Sequence, residues 1–131
     1  VTVLAIDPGR DKCGLAVVQP GRVLHREVVA RDRLAGRVAE LVGEYAAHVI
    51  VIGDATGSQG VLREVSGLGR PVEVVPEQGT SLEARRRYFR DHPPRGLARL
   101  VPEGLRVPPR PVDDYVAVIL AERFLEKARL V

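Results

Sequence analysis

The stretch Val3-Leu4-Ala5-Ile6-Asp7-Pro8-Gly9-Arg10, followed closely by Cys13-Gly14-Leu15-Ala16-Val17-Val18, decides how the rest of the chain is read. A short apolar run ends on an acid and is broken at once by proline and glycine. That pattern predicts a buried strand whose last side chain, Asp7, lies at the rim of a sheet. A carboxylate in such a place costs desolvation free energy unless a cation, a hydrogen bond or water compensates it. The local sequence offers only Arg10 and Lys12. Asp7 is then either a turn acid bonded to backbone amides or one ligand of a metal ion shared with distant carboxylates.

Working outward, a second strand runs over residues 14–19, and Pro20-Gly21 turns the chain into a third, residues 23–29, where His25 is expected to face solvent on an edge. These three strands form an antiparallel meander. Asp32 is placed to cap a helix with Leu34, Val38, Leu41, Val42 and Tyr45 at helical spacing. His48-Val49-Ile50-Val51-Ile52-Gly53 is nearly all apolar and β-branched, the mark of a strand buried on both faces and reached by a parallel crossover. A polar loop, Asp54-Ala55-Thr56-Gly57-Ser58, leads to a short helix over 61–68, and residues 71–76 read as a fifth strand.

Thr80-Ser81-Leu82-Glu83 has the form of a capping box and predicts a helix to Phe89 or Arg90, stopped by Pro93-Pro94. Residues 91–111 are rich in Pro, Gly and Arg and predict an irregular basic segment. Pro111-Val112-Asp113-Asp114 opens a last helix with a broad apolar face. The expected fold is α/β, a five-stranded mixed sheet with strands 1–3 antiparallel and strands 4–5 parallel, flanked by helices. At 131 residues the simplest organisation is one domain spanning 1–131.

Composition narrows the function. With 4% aromatic residues and no tryptophan there is little surface on which to stack single-stranded bases. The one cysteine, Cys13, excludes an intramolecular disulfide and a cysteine-based zinc site within one chain. No apolar run reaches the length of a membrane span and no signal-peptide pattern opens the chain, so a cytoplasmic location without membrane attachment is expected. The net charge is only +3, yet Arg85, Arg86, Arg87, Arg90, Arg95, Arg99, Arg106 and Arg110 fall in a stretch whose only acids are Asp91 and Glu103. Such a run is either a solvated face or a cationic field for phosphates.

Asp7, Glu77 just beyond the last strand, and Asp113 or Asp114 in the first turn of the closing helix would meet at one rim if strand 1 is central. Oxygen ligands of this kind suit magnesium or manganese and leave positions open for phosphate oxygens, as phosphodiester hydrolysis requires. Each acid also has a structural explanation, as a helix cap or a turn residue. Asp113 and Asp114 lie about 100° apart around a helix, so one of the two would face an ion. Asp54, at the end of the buried fourth strand, is a further auxiliary candidate beside Asp114.

These segments together resemble the YqgF family, also called RuvX or Holliday-junction-resolvase-like proteins, of the ribonuclease H-like superfamily. The resemblance covers nearly the whole chain. It rests on Ala5-Ile6-Asp7-Pro8-Gly9 with Gly14-Leu15-Ala16-Val17, on Val49 to Gly53, on Glu77-Gln78-Gly79-Thr80-Ser81-Leu82-Glu83-Ala84-Arg85, and on Val112-Asp113 before Ala117-Val118-Ile119-Leu120. It implies that Asp7, Glu77 and Asp113 are catalytic, metal-binding carboxylates and that Thr80, Ser81 and Arg85 lie near nucleic acid. Arg10, Lys12, Arg86, Arg95, Arg99 and Arg110 complete the set expected to hold its backbone.

Two departures from the family pattern touch the substrate contacts. Pro76-Glu77-Gln78 keeps the glutamate without the flanking Asp and Arg, and Asp54-Ala55-Thr56-Gly57 replaces a Leu-Pro loop. The function so implied is a Mg²⁺- or Mn²⁺-dependent nuclease acting on structured nucleic acid, branched DNA such as a Holliday junction or precursor 16S rRNA, as a monomer or homodimer. The alternative is a non-catalytic nucleic-acid-binding module of the same fold. An actin-like ATPase lobe is disfavoured because no Walker-type glycine loop is present.

Overall fold

A computed structural model describes residues 1–129 of the chain. Its five strands are β1 (Val3–Asp7), β2 (Lys12–Gln19), β3 (Arg22–Ala30), β4 (Val49–Gly53) and β5 (Val72–Val75). They form one sheet in the order β3-β2-β1-β4-β5, with β1 in the centre. β1 pairs antiparallel with β2, which pairs antiparallel with β3, and β1, β4 and β5 run parallel. The expected mixed sheet is the one found.

Helices α1 (Leu34–Tyr45), α2 (Ser58–Val65), α3 (Thr80–Asp91) and α4 (Asp113–Arg129) cover it. Alternate residues along each strand face opposite sides. Leu4, Ile6, Leu15, Val17, Ile50 and Ile52 pack against the α1 and α2 side. Val3, Ala5, Ala16, Val18, Val49 and Val51 pack against the α3 and α4 side. Because both faces are covered, β1 and β4 are buried along their whole length, which is why their sequences carry no polar alternation.

α4 is the main prop of its layer. Residues Asp114 to Ala121 are all buried, and Leu120 and Ile119 contribute about 1.5–3 kcal/mol each by leaving water. Among the described residues no helix is long and apolar enough to cross a membrane.

Several local expectations are corrected. Asp32 makes no capping bond; residues Arg31–Arg33 instead form a 3-10 turn, and Arg33 occupies the N-cap of α1. His25 is half-buried rather than turned to water, since its Nε2 lies 2.8 Å from Glu27 and its ring 5.9 Å from that of Tyr45. The Thr80–Glu83 capping box does not form. Gly79, at φ 79°, takes the N-cap of α3, a left-handed conformation that glycine adopts without a Cβ clash. Glu83 pairs with Arg87 one turn on. α2 starts at Ser58, three residues before the apolar periodicity begins, and the 3-10 turn Ser66–Leu68 extends it. Residues 92–112 are irregular as expected, apart from 3-10 turns at Gly96–Leu100 and Glu103–Leu105.

Candidate active site

Asp7 is the last residue of β1 and is 8% exposed. Its neighbour across the antiparallel ladder is Gly14 of β2; on the parallel side Ile6 aligns with Ile52, one residue before Gly53 of β4. A glycine on each flanking strand leaves room beside the central acid, and both spaces are filled by other acidic residues. A Cβ on Gly14 would overlap the backbone carbonyl of Asp113, at the first turn of α4. A Cβ on Gly53 would overlap the Glu77 carboxylate. Strand glycines of this kind mark a close approach of another segment.

The two positions differ in what must give way. At Gly14 the obstacle is backbone, so Gly14→Ala is expected to destabilise the fold by about 1–3 kcal/mol, read from urea denaturation. At Gly53 the obstacle is one side chain. Gly53→Ala is expected to displace Glu77 with a smaller stability loss than Gly14→Ala.

Three hydrogen bonds hold the Glu77 backbone. Its N–H donates to Asp54 Oδ1 (3.0 Å), and its carbonyl accepts from Thr80 N (3.0 Å) and Thr80 Oγ1 (2.6 Å). Arg123 of α4 donates to the carbonyls on either side, Pro76 O (3.3 Å) and Gln78 O (2.8 Å). The Asp54 N–H in turn donates to Val75 O (3.0 Å), so β4 and β5 are tied beyond their last ladder pair. Asp54 is exposed, and the bond it makes serves the Glu77 turn. Thr80 is 2% exposed, and its hydroxyl faces this turn.

The Asp7 carboxyl hydrogen-bonds those of Glu77 and Asp113. Burial foremost, then the hydrogen bond and charge of Glu77 and the nearness of Asp113, push it up to about 9. Glu77 is also raised, by burial and by the charges of Asp54 and Asp113, with the Asp7 hydrogen bond opposing. Asp113 is raised by burial and by Asp114, against the Asp7 hydrogen bond and the charge of Lys12. At neutral pH Asp7 therefore holds a proton, which it can donate to one of its acidic neighbours. No cation stands within ion-pair distance of any of the three among the described residues.

One atom has no partner at all: Glu77 Oε1 is buried and accepts no hydrogen bond. Three converging carboxyls and an orphaned buried oxygen fit a hard divalent cation, which takes oxygen ligands. The fit is not a finished cage, since no three acidic, histidine or cysteine side chains among the described residues are disposed to hold an ion as they stand. The protons between the carboxyls would have to leave first.

Asp114 belongs to a different cluster. It is 4% exposed and pairs with Arg26 Nε (3.1 Å) and Arg110 Nη1 (3.1 Å). Arg26 lies over the Tyr115 ring at 4.1 Å, and Tyr115 donates its hydroxyl hydrogen to Asp91 (2.8 Å). This cluster fixes the first turn of α4 and so the position of Asp113.

The expected basic residues are dispersed. Arg10 is exposed on the β1–β2 turn, Lys12 is exposed at the start of β2, and Ser81 is exposed at the start of α3. Arg85 is half-buried on α3, and Arg86 pairs with Glu103 (3.6 Å). Arg95 and Arg99 are exposed in the irregular segment, whereas Arg110 is engaged by Asp114. The sequence reading missed Arg123 and the two glycines. Glycine inside an apolar strand was a usable signal for the second, but nothing in spacing linked Arg123 to the Glu77 turn.

No protein-family model matches the chain, and no curated protein matches it. Among solved structures it is similar to Thermus thermophilus RuvC in complex with a Holliday junction substrate, with a TM-score of 0.69 and 23% identity over 99% of this chain and 96% of that one. A further structure of Thermus thermophilus RuvC gives a TM-score of 0.57 and 20% identity, covering 97% and 96%. Sheet order and these likenesses together define a protein of the ribonuclease H-like fold. Its arrangement is that of RuvC, in agreement with the resolvase-like resemblance carried by the motifs.

Proposed function

We propose that the chain is a divalent-metal-dependent nuclease that hydrolyses phosphodiester bonds in structured nucleic acid, either branched DNA such as a Holliday junction or precursor 16S rRNA. The observation that carries this reading is the meeting of Asp7, buried, with half-buried Glu77 and Asp113 from distant parts of the chain, without a cation partner among the described residues and with Glu77 Oε1 unsatisfied. The similarity to a RuvC structure holding a Holliday junction supports a nucleic-acid substrate.

In this reading Asp7, Glu77 and Asp113 would hold Mg²⁺ or Mn²⁺. Such ions, when bound, would supply a nucleophilic water at neutral pH and charge stabilisation for the leaving oxygen. The chain's own work is positional. The Asp54, Thr80 and Arg123 bonds hold the Glu77 turn, the Asp114 cluster holds α4, and Arg10 and Lys12 hold the phosphate backbone beside Asp7. Contacts of that kind position a strand without reading its sequence.

A non-catalytic binding module is the second reading, favoured by the lack of a ready three-ligand cage among the described residues. Labelled four-way junction and precursor rRNA are incubated with Mn²⁺ and with EDTA, using wild type and Asp113→Asn. Cleavage that needs Mn²⁺ and the aspartate is expected. Equal products in all four arms would reject the nuclease, and metal-independent binding without cleavage would leave the module.

A further inference from the structure

Nine large apolar side chains are exposed among the described residues, and five of them, Leu97, Leu100, Val101, Leu105 and Val107, fall between α3 and α4. Leu97 is 84% exposed, Leu100 79%, Leu105 71% and Val107 77%. Clusters of this kind on a protein surface mark an interaction site.

The segment is turned, not extended. Ala98 N–H donates to Arg95 O (3.2 Å) and Val101 N–H to Ala98 O (3.2 Å). Leu105 N–H donates to Pro102 O (2.9 Å), and Arg106 Nε to Val101 O (3.0 Å). The backbone thus satisfies part of its own hydrogen bonding while the apolar side chains project into water. Interleaved with them are Arg95, Arg99 and Arg106; the one acid, Glu103, is paired with Arg86. At its far end the segment runs through Val112, packed on the core, into Asp113.

The charge pattern selects the occupant. A second copy docking on the same segment would set three arginines against three, and like charges in contact oppose association. A nucleic-acid strand presents anionic phosphates and, where it is unstacked, apolar base faces. We propose that residues 95–107 form an unstacking wedge, with Leu97, Leu100, Leu105 and Val107 inserting against bases at a branch point while Arg95, Arg99 and Arg106 hold the flanking phosphates. The proposal deepens the nuclease reading and rests on it for the substrate class.

Opening paired, stacked bases costs a few kcal/mol per step, and less where pairing is already interrupted. A wedge in the segment that leads into Asp113 therefore discriminates branched from continuous nucleic acid before any bond is cut. Aliphatic wedges do this in a chain that has only five aromatic residues, Tyr and Phe together.

The test uses the full chain with a four-way junction carrying 2-aminopurine at the branch pair, and a duplex carrying it internally, both in EDTA so that nothing is cleaved. Wild type is expected to raise emission at the junction and to bind it more tightly than the duplex. Leu97→Ala with Leu100→Ala is expected to lower that rise and to cut the junction-over-duplex preference by on the order of tenfold. Arg95→Ala with Arg99→Ala is expected to weaken both substrates alike and reduce the salt slope by about two.

All these residues are exposed, so thermal melts of the variants should match wild type. Unchanged emission and preference in the leucine variant would overturn the wedge. So would a leucine-dependent change confined to self-association or to binding of phosphatidylserine vesicles. Because emission is read without hydrolysis, an inactive but wedge-competent protein is distinguishable from an active one that lacks the wedge.

Discussion

Asp7→Asn is expected to lower Mn²⁺-dependent cleavage of a four-way junction by on the order of a thousandfold or more, the loss of several kcal/mol of metal-derived stabilisation. The same substitution is expected to raise the melting temperature of the metal-free protein near pH 8. Both effects come from one carboxyl. Without metal, Asp7 is kept protonated by burial and by Glu77 and Asp113, and its O–H can donate to one of them. An amide of equal size donates in the same place and has no proton to hold, so the metal-free fold loses nothing by the change. As a ligand the amide is neutral and cannot offset the charge of a hard cation.

Activity within tenfold of wild type would remove Asp7 from the chemistry. A fall in both activity and metal-free stability would mean that Asp7 is structural. Asp114→Asn supplies the contrast. It would leave Arg26 and Arg110 facing a neutral group at a nearly buried position, and is expected to cost on the order of 2–4 kcal/mol of stability with or without metal.

How far the sequence reveals this site depends on the range of each interaction. The β1 run, the proline–glycine break after Asp7 and the β-branched β4 are local signals, and each strand is where its own pattern puts it. Periodicity likewise locates α1 and α4. The pairing of Asp7 with Gly14 on one side and its approach to Gly53 on the other follow from register and sheet order, which no window of sequence contains. The clearance those glycines provide was therefore invisible, although the glycines were in view.

Side-chain partners depend most on tertiary structure. Asp114, beside Asp113 in sequence, is turned by the helical repeat toward Arg26 and Arg110. Asp54 stands at the rim as expected, and its carboxylate accepts the Glu77 N–H. Thr80 has the composition of a cap, yet Gly79 takes that position and the hydroxyl bonds the nearer Glu77 carbonyl. Local propensity gave way at the turn that carries an acid, where several tertiary bonds fix the backbone.

The pH dependence of stability gives a second large effect and tests the metal without requiring cleavage. A carboxyl whose folded value lies near 9, against an ordinary value of 3.8, stabilises the fold fully only below the ordinary value, and that contribution is lost as pH rises through 9. Glu77 and Asp113 are raised as well and act in the same direction. In EDTA, stability is therefore expected to fall by a few kcal/mol between pH 6 and 8.5, with a slope approaching about 1.4 kcal/mol per pH unit for one proton.

Saturating Mn²⁺ should oppose this slope. Binding displaces the shared protons, so affinity rises with pH and stabilisation reaches about 2.7 kcal/mol at a hundred times the dissociation constant. Urea denaturation at several pH values, with EDTA or Mn²⁺, measures both. Asp7→Asn should flatten most of the EDTA slope and blunt the Mn²⁺ response, which assigns both to this carboxyl. A flat EDTA profile in wild type would mean that the three acids are not forced together in solution. A steep profile untouched by Mn²⁺ would mean that they meet but bind no ion, and the chain would then be a binding module built on a nuclease fold.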